Sequence, residues 1–385
     1  AAAPARAGVL PGPAMLSPAA DRRKALSCSG DLDRPARPPV LLVPGTSLTP
    51  GENWNPTYRP VLIKRGHAVC MVRLPVYATQ DMQANIEYVA TAIQLMAERS
   101  SRKISTIGDS QGALLPQAAL RTWPSLAQHV SDVIGVGGVY DRGSKALVER
   151  CRKSCIPVLH QMLPGSAFLR AMQRRPLPDG PAYTNIGTRG DQTVTPQPSA
   201  NQQVGATSIM VQDACPFHRV PAPEHTMIIG DSVALALTLD ALDHTGPAST
   251  RRLGFGTCWR QSYPEFDLED LLSRKAHKQL ARPTRNEPAL YCRDRSSCAD
   301  AAQRGELLAR PRVTVGRDQV TLRGRALQPG KVRVAVGGRA VVRSVRPGPV
   351  TIQVRRPAGR GQVVVATRWG IYRAWAVEAK RALAG

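Results

Sequence analysis

The 385-residue chain has no uninterrupted apolar run near the roughly 18 residues that a membrane-spanning helix requires. An integral membrane protein held by such helices is excluded. No CxxC pair occurs, and no histidine stands at zinc-finger spacing from a cysteine pair, so neither a structural zinc site nor any other metal is expected. Aromatic residues are only 4% of the chain. A nucleic-acid groove would interleave them with its basic residues for stacking, and no nucleic-acid motif is present, so no nucleic-acid partner is expected. Lysine is scarce, at 9 of the 52 basic residues. Asn55-Pro56-Thr57 is closed to N-glycosylation by its proline. The chain starts AAAPARAG, without Met or an apolar signal core, as expected of a mature secreted protein after cleavage at small residues.

What is present is close to ordinary globular composition, with 42% apolar and 21% charged residues. The charge is unusual: 52 basic against 28 acidic residues give +24. From Ala301 to Gly385 there are 18 basic and 3 acidic residues, so the last 85 residues carry +15 of that excess. A solvated basic surface is the simplest reading. A tether to an anionic surface or an insoluble substrate is the alternative. The eight cysteines, Cys28, Cys70, Cys151, Cys155, Cys215, Cys258, Cys292 and Cys298, form an even set without metal spacing. They point to disulfides and an oxidising compartment.

Residues 1–38, rich in Ala, Pro and Arg, read as an irregular arm. Strand and helix signals then alternate. Val40 to Val43, Ala68 to Leu74, Ile104 to Ile107, Val133 to Val136, Tyr183 to Gly187 and Ser208 to Val211 read as strands. Met82 to Met96 and Ala113 to Arg121 read as helices, and Met227 to Leu242 as one long apolar helix. Such alternation predicts an α/β fold, a mostly parallel sheet with helices on both faces. After about Arg310, valines alternate with polar or small residues between Gly- and Pro-rich turns, which predicts a small all-β domain. The expected division is an arm over 1–38, an α/β domain over 39–305 and an Arg-rich β domain over 306–385.

Gly108-Asp109-Ser110-Gln111-Gly112 is a G-x-S-x-G pattern between a predicted strand and a predicted helix. That is the setting of a nucleophile elbow, where glycines allow a sharp turn and the serine hydroxyl projects into a cleft. A serine nucleophile needs a base and an orienting acid, here in the order Ser, acid, His. His67 precedes the elbow, His129 and His160 lie before the later strands, and His277 is remote. Of His218, His225 and His244, position favours His225, in a loop just before the long helix. Asp191, after the strand at Tyr183 to Gly187, fits the acid, with Asp213 as its rival. The oxyanion hole should draw one N–H from Gln111 and another from the loop Pro44-Gly45-Thr46-Ser47. The Thr46 hydroxyl is a further candidate donor.

These residues resemble the Candida antarctica lipase B-like lipases of the α/β-hydrolase fold. The likeness rests on Leu41 to Thr46, Asn85-Ile86-Glu87-Tyr88, Ser110-Gln111-Gly112, Gly190-Asp191 with Val194, and Glu224-His225. Leu26-Ser27-Cys28, Gly66 to Cys70, Pro164 to Ala167 and Asn286-Glu287-Pro288 agree in order, so it covers roughly residues 25–300. The resemblance implies a Ser110–Asp191–His225 triad with Thr46 and Gln111 as oxyanion donors. It implies disulfides Cys28–Cys70 and Cys215–Cys258, leaving Cys151–Cys155 and Cys292–Cys298 as local pairs. Asp109 stands where the family carries Trp, so alcohol preference does not transfer. Tyr140 and Asp141 match an acyl-region pair in reversed order, and Gln161 matches an acyl-pocket Gln. The charged segment from Arg142 to His160 reads as a surface helix pair or a partial lid. The expectation is a secreted, cofactor-free serine lipase or esterase acting on acylglycerols or other carboxylic esters. A polyester hydrolase or acyltransferase on the same triad is an alternative, as is a non-catalytic binding protein working through its β domain.

Overall fold

Val40 to Val43 are fully buried, as a run of apolar residues becomes when helices cover both faces of a parallel sheet. The computed structural model describes residues 15, 17–273, 277 and 280–288, together with strands between residues 308 and 374. Its first sheet contains β1 (Leu26–Ser29), β2 (Arg37–Val43), β3 (His67–Val72), β4 (Ile104–Asp109), β5 (Val130–Val136), β6 (Ala182–Gly187) and β7 (Thr207–Met210). The strand order is β1-β3-β2-β4-β5-β6-β7, and every pairing is parallel except β1 with β3. The helices Met82–Ser100 and Gln111–Thr122 pack on each other and on the central strands, while Ser232–Asp243 packs on β5 and β6. This is the expected α/β fold.

Two expectations change. The arm is not irregular throughout: Ala19–Lys24 is helical, and Leu26–Ser29 adds an antiparallel edge strand. Cys28 stands directly opposite Cys70 in that ladder and is bonded to it, so the pairing and the disulfide fix the same register. The long helix expected from Met227 is also broken. Glu224–Met227 forms one turn, a 3-10 turn covers Ile228–Gly230, and the main helix starts at Ser232. Asp231 causes the restart by accepting from the N–H groups of Val233 and Ala234, an N-cap that an apolar-periodicity count does not see.

By contacts the chain divides into Ala1–Arg285 and Asn286–Gly385. The boundary expected at about Asp300 to Arg310 falls mostly on residues 289–307, outside the described residues, as do Cys292 and Cys298. The second unit contains two antiparallel sheets. One has the order β12-β9-β8, from β8 (Leu308–Val315), β9 (Gln319–Ala326) and β12 (Gly348–Arg355). The other has the order β11-β10-β13-β14, from β10 (Gly330–Val336), β11 (Arg339–Val345), β13 (Val363–Thr367) and β14 (Gly370–Ala374). Val350, Ile352 and Val354 are buried while Pro349, Thr351 and Gln353 are exposed, the two-residue period of a half-covered strand.

Candidate active site

The sharp turn predicted at Ser110 is present. β4 ends at Asp109, Ser110 adopts φ 53°, and the next helix starts at Gln111. A non-glycine residue at positive φ is strained, so the surroundings must hold it. The Ser110 N–H donates to the Val136 carbonyl at 2.8 Å, which pins the elbow to β5. A methyl group on Gly108 would overlap the Gly112 carbonyl, and one on Gly112 would overlap the carbonyls of Val43 and Pro44. The tight crossing of strand and helix therefore depends on both glycines.

Ser110 Oγ lies 3.0 Å from His225 Nε2, and His225 Nδ1 lies 2.7 Å from Asp191 Oδ2. The other Asp191 oxygen accepts from the N–H groups of Thr193 at 2.8 Å and Val194 at 2.7 Å, so the buried carboxylate is fixed at both ends. Asp213, the rival acid, is instead engaged by the Arg189 guanidinium at 2.6 Å and the Met210 N–H at 2.9 Å. Of the other candidate bases, His218 pairs with Asp231 and His244 with Asp240. The histidine loop is clamped onto the acid loop by Glu224, which accepts from the Thr188 hydroxyl and the Gly190 N–H. Sequence reasoning used Glu224 only as a family match and missed this contact. It joins residues 34 and 36 positions apart, beyond any local pattern.

Burial alone would lower the affinity of His225 for a proton. The hydrogen bond and charge of Asp191, aided by Asp109, outweigh that and raise its pKa. The predicted oxyanion loop lies beside the elbow. The Thr46 hydroxyl donates to Gln111 Oε1 at 2.7 Å, so in this state its proton points to a side chain. The Gln111 N–H belongs to the first turn of its helix, where N–H groups lack intrahelical acceptors and the helix dipole favours negative charge.

Thr46, Asp109, Ser110 and His225 line a cavity of about 550 Å³. Its apolar wall includes Leu147, Ile156, Leu159 and Met162, so the segment from Arg142 to His160 forms part of the pocket. The Cys151–Cys155 disulfide lies in that segment. Cys215–Cys258 is also bonded. Cys151, Cys155 and His160 are near enough to share an ion, but the two sulfurs are bonded to each other and His160 Nε2 meets the Thr284 carbonyl. Three residues expected in the acyl region do not line the cavity. The Tyr140 ring fills the space left by Gly135 and Gly138. Asp141 pairs with Arg121 at 3.0 Å. Gln161 accepts from the Met82 N–H and donates to Asp81, fixing the start of the helix Met82–Ser100. Each of these side chains is occupied in packing or holding neighbouring elements together.

The fold defines an α/β-hydrolase. No family model matches the chain. Lipase B from Pseudozyma antarctica is 28% identical over 189 residues, covering 49% of this chain and 55% of that protein. The chain thus spans about half the length of this curated relative. The crystal structure of Aspergillus fumigatus lipase B superposes with a TM-score of 0.62 at 25% identity, covering 75% of this chain and 76% of that one. The chain is similar to both lipases B and shares the α/β-hydrolase fold with the second.

Proposed function

We propose that the protein is a secreted serine esterase of the lipase type, hydrolysing carboxylic esters such as acylglycerols. The observation that carries this reading is the continuous line from Ser110 Oγ through His225 to Asp191, at 3.0 and 2.7 Å, along a cavity with an apolar wall. Ser110 Oγ attacks the ester carbonyl while His225 Nε2 takes its proton. The carbonyl electrons move onto oxygen, where the N–H groups of Thr46 and Gln111 stabilise the charge. Collapse of this intermediate expels the alcohol, to which His225 returns the proton. Water, deprotonated by His225, then releases the acid and regenerates Ser110. Asp191 fixes the imidazole and stabilises its charged form. Three disulfides and the absence, among the described residues, of a helix long and apolar enough to cross a membrane support an extracellular setting.

The test is hydrolysis of p-nitrophenyl butyrate and p-nitrophenyl laurate by the full chain and by Ser110→Ala, with phosphonate labelling in parallel. Hydrolysis and labelling of the wild type that vanish in the variant are expected. Equal activity in both proteins would remove Ser110 from the mechanism.

A further inference from the structure

The loop after β2 passes directly against the nucleophile. A Cβ on Gly45 would stand 3.5 Å from Ser110 Cβ, and Gly45, Thr46 and Ser47 line the cavity beside it. The N–H groups of this run alternate in use. Gly45 donates to Asn53 Oδ1 at 2.7 Å, and Ser47 donates to the Tyr77 carbonyl at 2.8 Å. The Thr46 N–H between them has no acceptor among the described residues. The Thr46 hydroxyl is turned to Gln111 Oε1 at 2.7 Å. The planar peptide that carries the Thr46 N–H is therefore held through both of its neighbours, and that N–H is left for a developing charge. Gly45 has no Cβ to restrict its own dihedrals, so the hold has to come from outside the loop.

Asn53 supplies it from a rigid position. Thr49 caps the helix Pro50–Trp54: its hydroxyl accepts from the Glu52 N–H at 3.2 Å, and the Glu52 carboxylate accepts from the Thr49 N–H at 2.7 Å. The Asn53 N–H donates to the Thr49 carbonyl at 3.1 Å, and the Asn53 carbonyl accepts from the Thr57 hydroxyl at 2.7 Å. The Asn53 side chain is fully buried, and its Nδ2 has no partner among the described residues. A buried amide with one end unpaired is costly to keep for stability alone, and the end that is paired meets the loop beside Ser110.

We propose that Asn53 is a positioning residue of the oxyanion hole: by accepting from the Gly45 N–H it orients the peptide between Gly45 and Thr46, so that the Thr46 N–H meets the charge on the substrate oxygen. This rests on the esterase reading above and adds to it a residue that acts only through the loop.

The experiment measures p-nitrophenyl butyrate hydrolysis by the full chain as wild type, Asn53→Leu and Asn53→Asp, with kcat counted per active site by end-point phosphonate labelling. Leu is close to Asn in shape but cannot accept. Asp keeps the acceptor and gives up only the unpaired Nδ2, and burial favours its neutral form. Loss of one oxyanion donor costs about 10²–10³-fold in kcat. Asn53→Leu should lose from roughly tenfold up to that ceiling, with KM little changed. The Ki of butaneboronic acid, whose serine adduct mimics the tetrahedral intermediate, should rise by a similar factor. Asn53→Asp should keep most of kcat. A wild-type kcat per labelled site in Asn53→Leu, a loss carried by KM alone, an unchanged boronate Ki, or an Asp variant as slow as the Leu variant overturns the proposal. If Asn53→Leu does not fold, Asn53→Ser, which shortens the side chain and withdraws the acceptor, is judged by the same criteria. Wild-type turnover separates the levels. Hydrolysis by the wild type with no loss in the variant rejects only the role of Asn53, whereas failure of the wild type to hydrolyse the ester rejects the esterase reading and this inference with it.

Discussion

The backbone N–H of Ser47 donates to the carbonyl of Tyr77 at 2.8 Å, tying the loop proposed to hold the oxyanion to a turn of left-handed residues. Val76, Tyr77 and Ala78 have φ of 46°, 55° and 59°, and Ser47 itself has 64°. Three consecutive non-glycine residues in this region are costly, at about 1–2 kcal/mol each, and Val76 is also β-branched. Neighbours hold the turn. Tyr77 stacks on His277 with centroids 3.7 Å apart, and His277 Nε2 meets Glu52 Oε2 at 2.9 Å.

A Val76→Gly variant should therefore melt higher. Relief of about 1–2 kcal/mol of strain exceeds the roughly 0.5–1 kcal/mol of added chain freedom. The same change loosens the carbonyl that fixes Ser47, so kcat should fall while KM changes little. A thermal melt and a kcat–KM pair check this. An unchanged or lower melting temperature would mean that the turn stores no strain.

The pH dependence of activity follows from His225. Burial disfavours its protonated form, but the bond and charge of Asp191, with the charge of Asp109, raise its pKa above the ordinary 6.5. A general base must be neutral, so activity falls as pH drops through that raised value. The acidic limb of kcat/KM should thus lie above pH 6.5. Asp109→Asn should move it down. Asp191→Asn should also move it down and lower kcat by up to about 10⁴-fold, the scale known for serine proteases. An acidic limb that stays in place in Asp109→Asn would remove that charge from the account.

Much of this site was legible in the sequence, because its components are local. Ser110 is marked by flanking glycines between a strand and a helix, Asp191 by its position after a predicted strand, and His225 by its loop just before the long predicted helix. The choice of Asp191 over Asp213 was open on pattern alone, since both follow strands. Three-dimensional placement separates them: one carboxylate meets His225, the other an arginine. What could not be read depends on distant pairs, such as Glu224 with Thr188, Ser47 with Tyr77, and the apolar wall brought in by Leu147 to Met162. The edge strand at Leu26–Ser29 was missed because its stabilising partners are 40 to 46 residues away.

A second buried histidine–aspartate pair should act on stability. His218 Nε2 meets Asp231 Oδ2 at 2.5 Å, while Asp231 Oδ1 caps the helix Ser232–Asp243. The hydrogen bond to Asp231 raises the His218 pKa despite the opposing effect of burial. A group raised in the folded state adds stability that is fully present below its unfolded pKa, about 6.5, and lost as pH rises through the folded one. The advantage of wild type over His218→Gln in thermal melts should therefore be largest below about pH 6.5 and shrink as pH rises above it. A difference independent of pH would show that the pair contributes only as a neutral hydrogen bond.

Three glycines should separate close approach from backbone conformation. Gly112 lies against the Val43 and Pro44 carbonyls, so Gly112→Ala forces strand β2 and the helix after Ser110 apart. Both are buried and cannot yield cheaply, so a loss of roughly 3 kcal/mol or more is expected, with loss of activity. Gly66 has open space around it but φ of 85°, so Gly66→Ala meets only backbone strain, about 1–2 kcal/mol. Gly256 has neither constraint, and Gly256→Ala should be neutral or slightly stabilising through reduced freedom of the unfolded chain. Urea unfolding of the three variants gives the order directly. If Gly112→Ala unfolded no earlier than Gly66→Ala, β2 and the helix would have room to separate. The elbow would then rest on the Ser110 N–H bond to Val136 and not on tight packing.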